Sequence, residues 1–213
     1  MKEIKILELI YNNNIYSFED SFYIRKLFSK FCDNDLFHNH IDNIVIYRYP
    51  LIQYKIIGKN LVVIGINEGA DTLINNLHII KTIKFKDKYL DDFICKENSY
   101  KIGTCDKNNY LFLTPWFALN SHNYKLYKNI DEQETLLKKI LIGNILSFCK
   151  FMNYNIDERL EVDIDLKELI SFYKLKPYNS FIGKFTVNIN LPNMIGLGHL
   201  VSHGFGTIYK KNN

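Results

Sequence analysis

Two periods of apolar residues alternate along the chain, and the switches between them outline two halves. Ile4–Ile10 reads as a strand. Ser17-Phe18-Glu19-Asp20 then offers a serine cap with an acid three residues on, the start signal of a helix. Phe18, Phe22, Ile24, Leu27, Phe28 and Phe31 follow at helical spacing to about Cys32. Ile44–Ile57 is a long extended run rich in Ile, Val and Tyr, Gly58-Lys59-Asn60 turns it, and Leu61–Ile66 returns as a strand. Gly69–Ile79 predicts a short helix and Thr82–Phe85 a fourth strand. The order β-α-β-β-α-β is the ferredoxin-like one.

The polar stretch Asp87–Asn109 predicts a boundary between domains 1–95 and 96–213. Beyond it, Tyr110–Leu119 reads as a strand broken by Pro115. Asp131-Glu132-Gln133-Glu134 opens a helix running to about Asn153, apolar almost all round and so expected to be deeply buried. Extended runs at Leu160–Ile164, Leu169–Leu175 and Phe181–Ile189 lead to a glycine-rich loop, and Thr207–Tyr209 closes as a strand. The predicted fold class is therefore α+β, two tandem ferredoxin-like βαββαβ domains.

Composition narrows the function classes. With 213 residues and 47% hydrophobic content the chain is globular. Its longest apolar runs are too short to cross a bilayer, and Met1-Lys2-Glu3-Ile4-Lys5 lacks a signal-peptide core. Cys32, Cys95, Cys105 and Cys149 show neither close pairing nor metal spacing, which predicts reduced thiols and a cytoplasmic protein. Charge is uneven. Residues 1–106 carry 14 basic and 14 acidic side chains, whereas Lys174, Lys176, Lys184, Lys210 and Lys211 follow Glu168 with no acid among them. A positive field there suits a polyanion, although solvated lysine faces give the same pattern.

Inside that basic stretch lies Gly196-Leu197-Gly198-His199-Leu200-Val201-Ser202-His203-Gly204-Phe205-Gly206, with four of the chain's ten glycines. Glycine admits positive φ and lets a second backbone come close, and amides in such a loop can face an anion. The loop lacks the Gly-Lys-Ser/Thr ending of a Walker A loop, and Val201 breaks a dinucleotide fingerprint. It resembles the C-terminal signature of the RAMP superfamily, specifically the CRISPR RNA-processing endoribonucleases. Further segments are similar to one branch of that family: His38-Asn39-His40, then Tyr47-Arg48-Tyr49-Pro50-Leu51-Ile52-Gln53-Tyr54-Lys55 and Gly65-Ile66-Asn67-Glu68-Gly69. Leu113-Thr114-Pro115-Trp116-Phe117-Ala118-Leu119-Asn120 and Leu141-Ile142-Gly143-Asn144-Ile145-Leu146-Ser147 complete the resemblance in the same order along the chain.

The resemblance implies binding of CRISPR repeat RNA and one cut per repeat, without metal or other cofactor. A ribose 2′-OH attacks the adjacent phosphate, leaving a 2′,3′-cyclic phosphate and a 5′-OH. That chemistry needs a base, an acid and donors for the phosphorane charge, and imidazoles supply the first two at neutral pH. In the family branch the catalytic histidines occupy this segment, so the roles fall on His38 and His40; on an extended backbone the two would point to one side. Tyr47 could orient a histidine or donate to the phosphate. Lys55 and Lys184 are candidates for phosphate charge. Gly196, Gly198, His199, Ser202, His203, Gly204 and Gly206 are candidates for holding RNA backbone. Exposed rings among Tyr47, Tyr49, Tyr54 and Trp116 could stack bases. No carboxylate or third histidine stands at a zinc spacing from His38 and His40, so no metal site is expected. Subunits of a CRISPR effector complex are further candidate partners, and the chain is expected to be a monomer or homodimer with no membrane partner. Two other readings stay open: a non-catalytic RNA-binding subunit of the same superfamily, and a ferredoxin-like module that binds a protein.

Overall fold

The computed structural model describes residues 1–12, 15–38, 40–41, 44–45, 48–129 and 132–211. In chain order the elements are β1 (Lys2–Tyr11), α1 (Asp20–Phe31), a 3₁₀ turn (Asp35–Phe37), a short hairpin of β2 (His40–Ile41) and β3 (Ile44–Val45), β4 (Ile52–Ile57), β5 (Asn60–Ile66), α2 (Glu68–Asn75) and α3 (Leu77–Ile80). There follow a second short hairpin of β6 (Lys84–Phe85) and β7 (Lys88–Tyr89), then β8 (Ile94–Phe112), α4 (Ser121–Asn129), α5 (Gln133–Phe151), β9 (Val162–Tyr173), β10 (Lys176–Asn190), a 3₁₀ turn (Val201–His203) and β11 (Ile208–Lys210). None of the described helices is long and apolar enough to cross a membrane.

The fold is α+β, two ferredoxin-like units in tandem. One compact unit holds residues 3–100 together with Ser202–Gly204; the other holds Met1–Lys2, Lys101–Val201 and the chain from Phe205 on. In the first, β4, β5, β1 and β8 lie side by side in that order, β8 contributing its residues up to 100. The β4–β5 turn follows from its residues: Gly58 and Lys59 both take positive φ (56° and 71°), as a two-residue primed turn requires. One face of the sheet buries Leu7, Leu9, Tyr54 and Val63 against Ile24 and Phe28 of α1 and Leu73 of α2. Asp20 delivers the expected start signal of α1, its Oδ2 accepting the Ser17 amide at 2.7 Å and the Lys86 ammonium at 2.5 Å.

In the second unit the order is β9, β10, β8, β11, all antiparallel. Leu137, Leu141, Ile145 and Phe148 of α5 form its buried stripe, while Leu146 and Phe151 on the same helix are 44% exposed. The helix is thus buried on one face only, although its sequence is apolar nearly all round. The expected strand Thr82–Phe85 is instead part of the short β6–β7 hairpin, and the fourth strand is supplied by β8. Ile44–Ile57 is not one run: Arg48–Leu51, containing Pro50, separates β3 from β4.

Candidate functional site

Between α1 and β4 the chain leaves the core and returns. Asn34 shapes the departure by accepting the Leu36 amide on its side-chain oxygen (2.9 Å), which starts the 3₁₀ turn. Phe37 is buried and packs against Phe28, ring centroids 6.0 Å apart. Its carbonyl accepts the Ser29 hydroxyl at 3.1 Å. His38 follows on extended backbone (φ −141°, ψ 146°), half-buried. His40 opens β2, its backbone paired with Val45. Tyr47 lies outside the described residues.

The return is held by groups that the sequence did not single out. Arg48 donates to the Asp35 carbonyl at 2.9 Å, linking residues 13 positions apart. The Gln53 amide donates to the Tyr49 hydroxyl and to the Pro50 carbonyl, both at 3.0 Å. Its carbonyl oxygen accepts the Lys55 ammonium at 2.8 Å. Gln53 and Lys55 are both 0% exposed. Lys55 was expected at the surface, offering charge to a phosphate; it is instead sealed inside β4. Burial pushes its pKa down to about 7, against a smaller upward pull from Glu8. Burial raises the Glu8 carboxyl in turn, opposed by the amide hydrogen bond from Asn98. Tyr54, one of the rings that could stack bases if exposed, is instead buried in the core, edge-on to Phe28 at 5.3 Å.

The glycine loop owes its residues to close packing. Gly206 sits at φ +63°, where an added Cβ would stand 2.0 Å from the Leu197 carbonyl oxygen. Gly198, at φ +90°, lies over the Trp116 indole, where a Cβ would come within 2.6 Å of Nε1. Several amides expected to face an anion are already engaged: Leu197 donates to Gly206 (2.9 Å), Gly206 to Pro115 (2.8 Å), and His199 to Phe117 (3.0 Å). Trp116 is core, stacked on Phe112 at 5.3 Å with its Nε1 donating to Asn144 at 3.0 Å. His199 is exposed, and desolvation lowers its imidazole from the ordinary value.

Ser202, His203 and Gly204 belong with the first unit. The His203 carbonyl accepts the Ser21 hydroxyl at 3.2 Å, and its ring meets Phe22 edge-on at 5.0 Å. A Cβ on Gly204 would stand 2.6 Å from the Tyr54 carbonyl oxygen. His203 and the His38 segment are therefore anchored to the same helix, at Ser21 and Ser29, about 12 Å apart along its axis. Lys184 is exposed on β10, its ammonium 3.6 Å from Asp165 on β9.

Comparison with known proteins identifies the family. A model of the Cas6b N-terminal domain matches residues 2–97, and one of the Cas6b C-terminal domain matches residues 104–211. A crystal structure of Cas6b is 36% identical with a TM-score of 0.91, covering 99% of this chain and 100% of that one. A second crystal structure, described as the CRISPR RNA processing endoribonuclease Cas6b, is 34% identical with a TM-score of 0.82 over 99% of this chain and 100% of its own. An uncharacterised protein of Methanocaldococcus jannaschii is 42% identical over 104 residues, which span 47% of this chain and 71% of the relative.

Proposed function

Because the chain belongs to the Cas6b family, whose solved structures include a CRISPR RNA processing endoribonuclease, we propose that it cleaves CRISPR precursor RNA within its repeats by attack of a ribose 2′-OH on the adjacent phosphate. The base removes the 2′-OH proton as the new O–P bond forms. The bond from phosphorus to O5′ breaks, and the acid donates a proton to the departing oxygen. The products are a 2′,3′-cyclic phosphate and a 5′-OH, and the balance needs neither water nor a metal.

His38 and His40 take the acid and base roles, with Tyr47 orienting an imidazole or donating to the phosphate. The observation that carries this reading is the family match across both halves, joined to the held backbone at His38: Phe37 is anchored in the core and the histidine beside it is only half-buried. Each imidazole is worth roughly 10²–10⁴ in rate. The N-terminal domain, 1–95, carries this chemistry, and the C-terminal domain, 96–213, grips RNA.

The test is incubation with repeat RNA in EDTA. A 2′,3′-cyclic end is expected from the wild type, and none from the His38→Ala, His40→Ala double variant purified alongside. Cleavage that persists in the double variant removes the histidines from the mechanism. Cleavage that stops in EDTA and returns with a divalent ion removes the metal-free route.

A further inference from the structure

The segment carrying His38 and His40 is tied at both ends, and the ties converge on one strand. At the entry, Phe37 packs against Phe28, which also meets Tyr54 of β4. At the exit, Arg48 reaches back to the Asp35 carbonyl, and Gln53 of β4 holds the Tyr49 hydroxyl and the Pro50 carbonyl. Neighbouring residues on a strand point to opposite faces, so Tyr54 serves the entry from one face while Gln53 and Lys55 serve the exit from the other.

Lys55 gives this arrangement direction. The Lys55 Nζ donates to the Gln53 carbonyl oxygen, and the Gln53 NH₂ on the other side of the amide donates to Tyr49 and Pro50. Without Lys55 the Gln53 side chain loses one of the contacts that hold it in place. Burying a lysine and a glutamine is costly where an aliphatic pair would pack, and the interactions gained are those that fix the exit.

We propose that Arg48, Gln53 and Lys55 are positioning residues for the histidine segment, holding its exit to its entry so that both imidazoles stand in register with the scissile phosphate. This rests on the ribonuclease reading above. Arg48 closes the segment on itself; Gln53, oriented by Lys55, fixes the point where it rejoins β4. A displacement of about 1 Å at a reacting group can cost about 10²-fold in rate, so loosening these ties is felt in the chemical step.

The experiment compares wild type with Arg48→Met, Arg48→Lys, Gln53→Leu and Lys55→Met. It measures single-turnover cleavage of repeat RNA, RNA affinity, urea unfolding, and hydrogen exchange at the Leu36, Phe37 and His38 amides. Arg48→Met, Gln53→Leu and Lys55→Met are expected to cut about 10–100-fold more slowly with RNA affinity within about twofold of wild type. Arg48→Lys, which still donates to Asp35, should recover most of the rate, and exchange should quicken in Arg48→Met. Lys55→Met should resist urea better than wild type at pH 6 while still cutting slowly, a combination that loss of fold cannot produce. Wild-type rates and unchanged exchange in the three disrupting variants overturn the positioning role and leave the ribonuclease reading intact. Rate, affinity and stability falling together in all three also overturn it, in favour of a plain structural role. If wild type does not cut, the ribonuclease reading fails by itself, while exchange in Arg48→Met still decides whether the tie exists.

Discussion

Lys55 makes stability depend on pH in a way that one substitution can remove. Its ordinary pKa is 10.5, and burial in β4 lowers it to about 7. Below pH 7 the lysine is charged whether the chain is folded or not, and the folded state carries the full cost of a buried ammonium. Above pH 10.5 it is neutral in both and the cost is gone. Between these limits the unfolded chain binds more protons, so stability rises with pH. Each pH unit is worth about 1.4 kcal/mol, and the whole interval about 5 kcal/mol. Lys55→Met deletes that cost and takes a buried donor from the Gln53 carbonyl oxygen, a loss of about 1–3 kcal/mol. The variant is therefore expected to be about 2–4 kcal/mol more stable than wild type at pH 6 and less stable above pH 10, the two curves crossing at about pH 9. Urea unfolding between pH 6 and 10, followed by the fluorescence of the single tryptophan, buried Trp116, measures the difference directly. Parallel stability curves for the two proteins would refute the reasoning, since they would mean that Lys55 titrates as an exposed lysine does.

Glu8→Gln removes the group that pulls the Lys55 pKa upward, so the rise in stability should begin at a lower pH than in wild type, seen in the same unfolding series. Gly206→Ala places a Cβ against the Leu197 carbonyl at positive φ and should cost at least about 3 kcal/mol of stability, whereas Gly143→Ala, on α5 with no neighbour within 4 Å, should gain about 0.5–1 kcal/mol. Thiol titration at pH 8 should label exposed Cys95 and Cys105 quickly in the native protein; Cys32 and Cys149, buried and pushed up to about 11 and about 12, should wait for urea.

Local signals carried the strands and helices whose pattern matches their burial. β1, α1 and the β4–β5 hairpin are legible because apolar period, Asp20 and the Gly58 turn agree with the environment each meets. β8 escaped because Ile94–Ser99, apart from half-buried Asn98, is exposed and its sequence reads as a polar linker. α4 escaped for the same reason, although Asn120 accepting the Asn123 amide at 2.8 Å is a start signal that the sequence offers. At the site, His38 and His40 are expected from resemblance, and the glycine loop from its glycine count. Lys55 could not be placed from local pattern. Gln53 and Lys55 alternate with Ile52, Tyr54 and Ile56 as on a strand with one wet face, and only tertiary packing makes that face dry. Arg48 and Gln53 carried no signal because their partners are backbone carbonyls and a tyrosine hydroxyl fixed only by the folded loop.

The hydroxyl of Ser21, which also donates to the nearby Phe18 carbonyl, reaches a second acceptor 182 residues later, on His203. A ribosome making this protein must therefore extend the chain through Gly204 before the leading unit has its last three members, Ser202–Gly204. Closure by such a distant clasp costs loop entropy, and completing the front of the molecule waits on synthesis of residue 204, which a premature stop upstream would forestall.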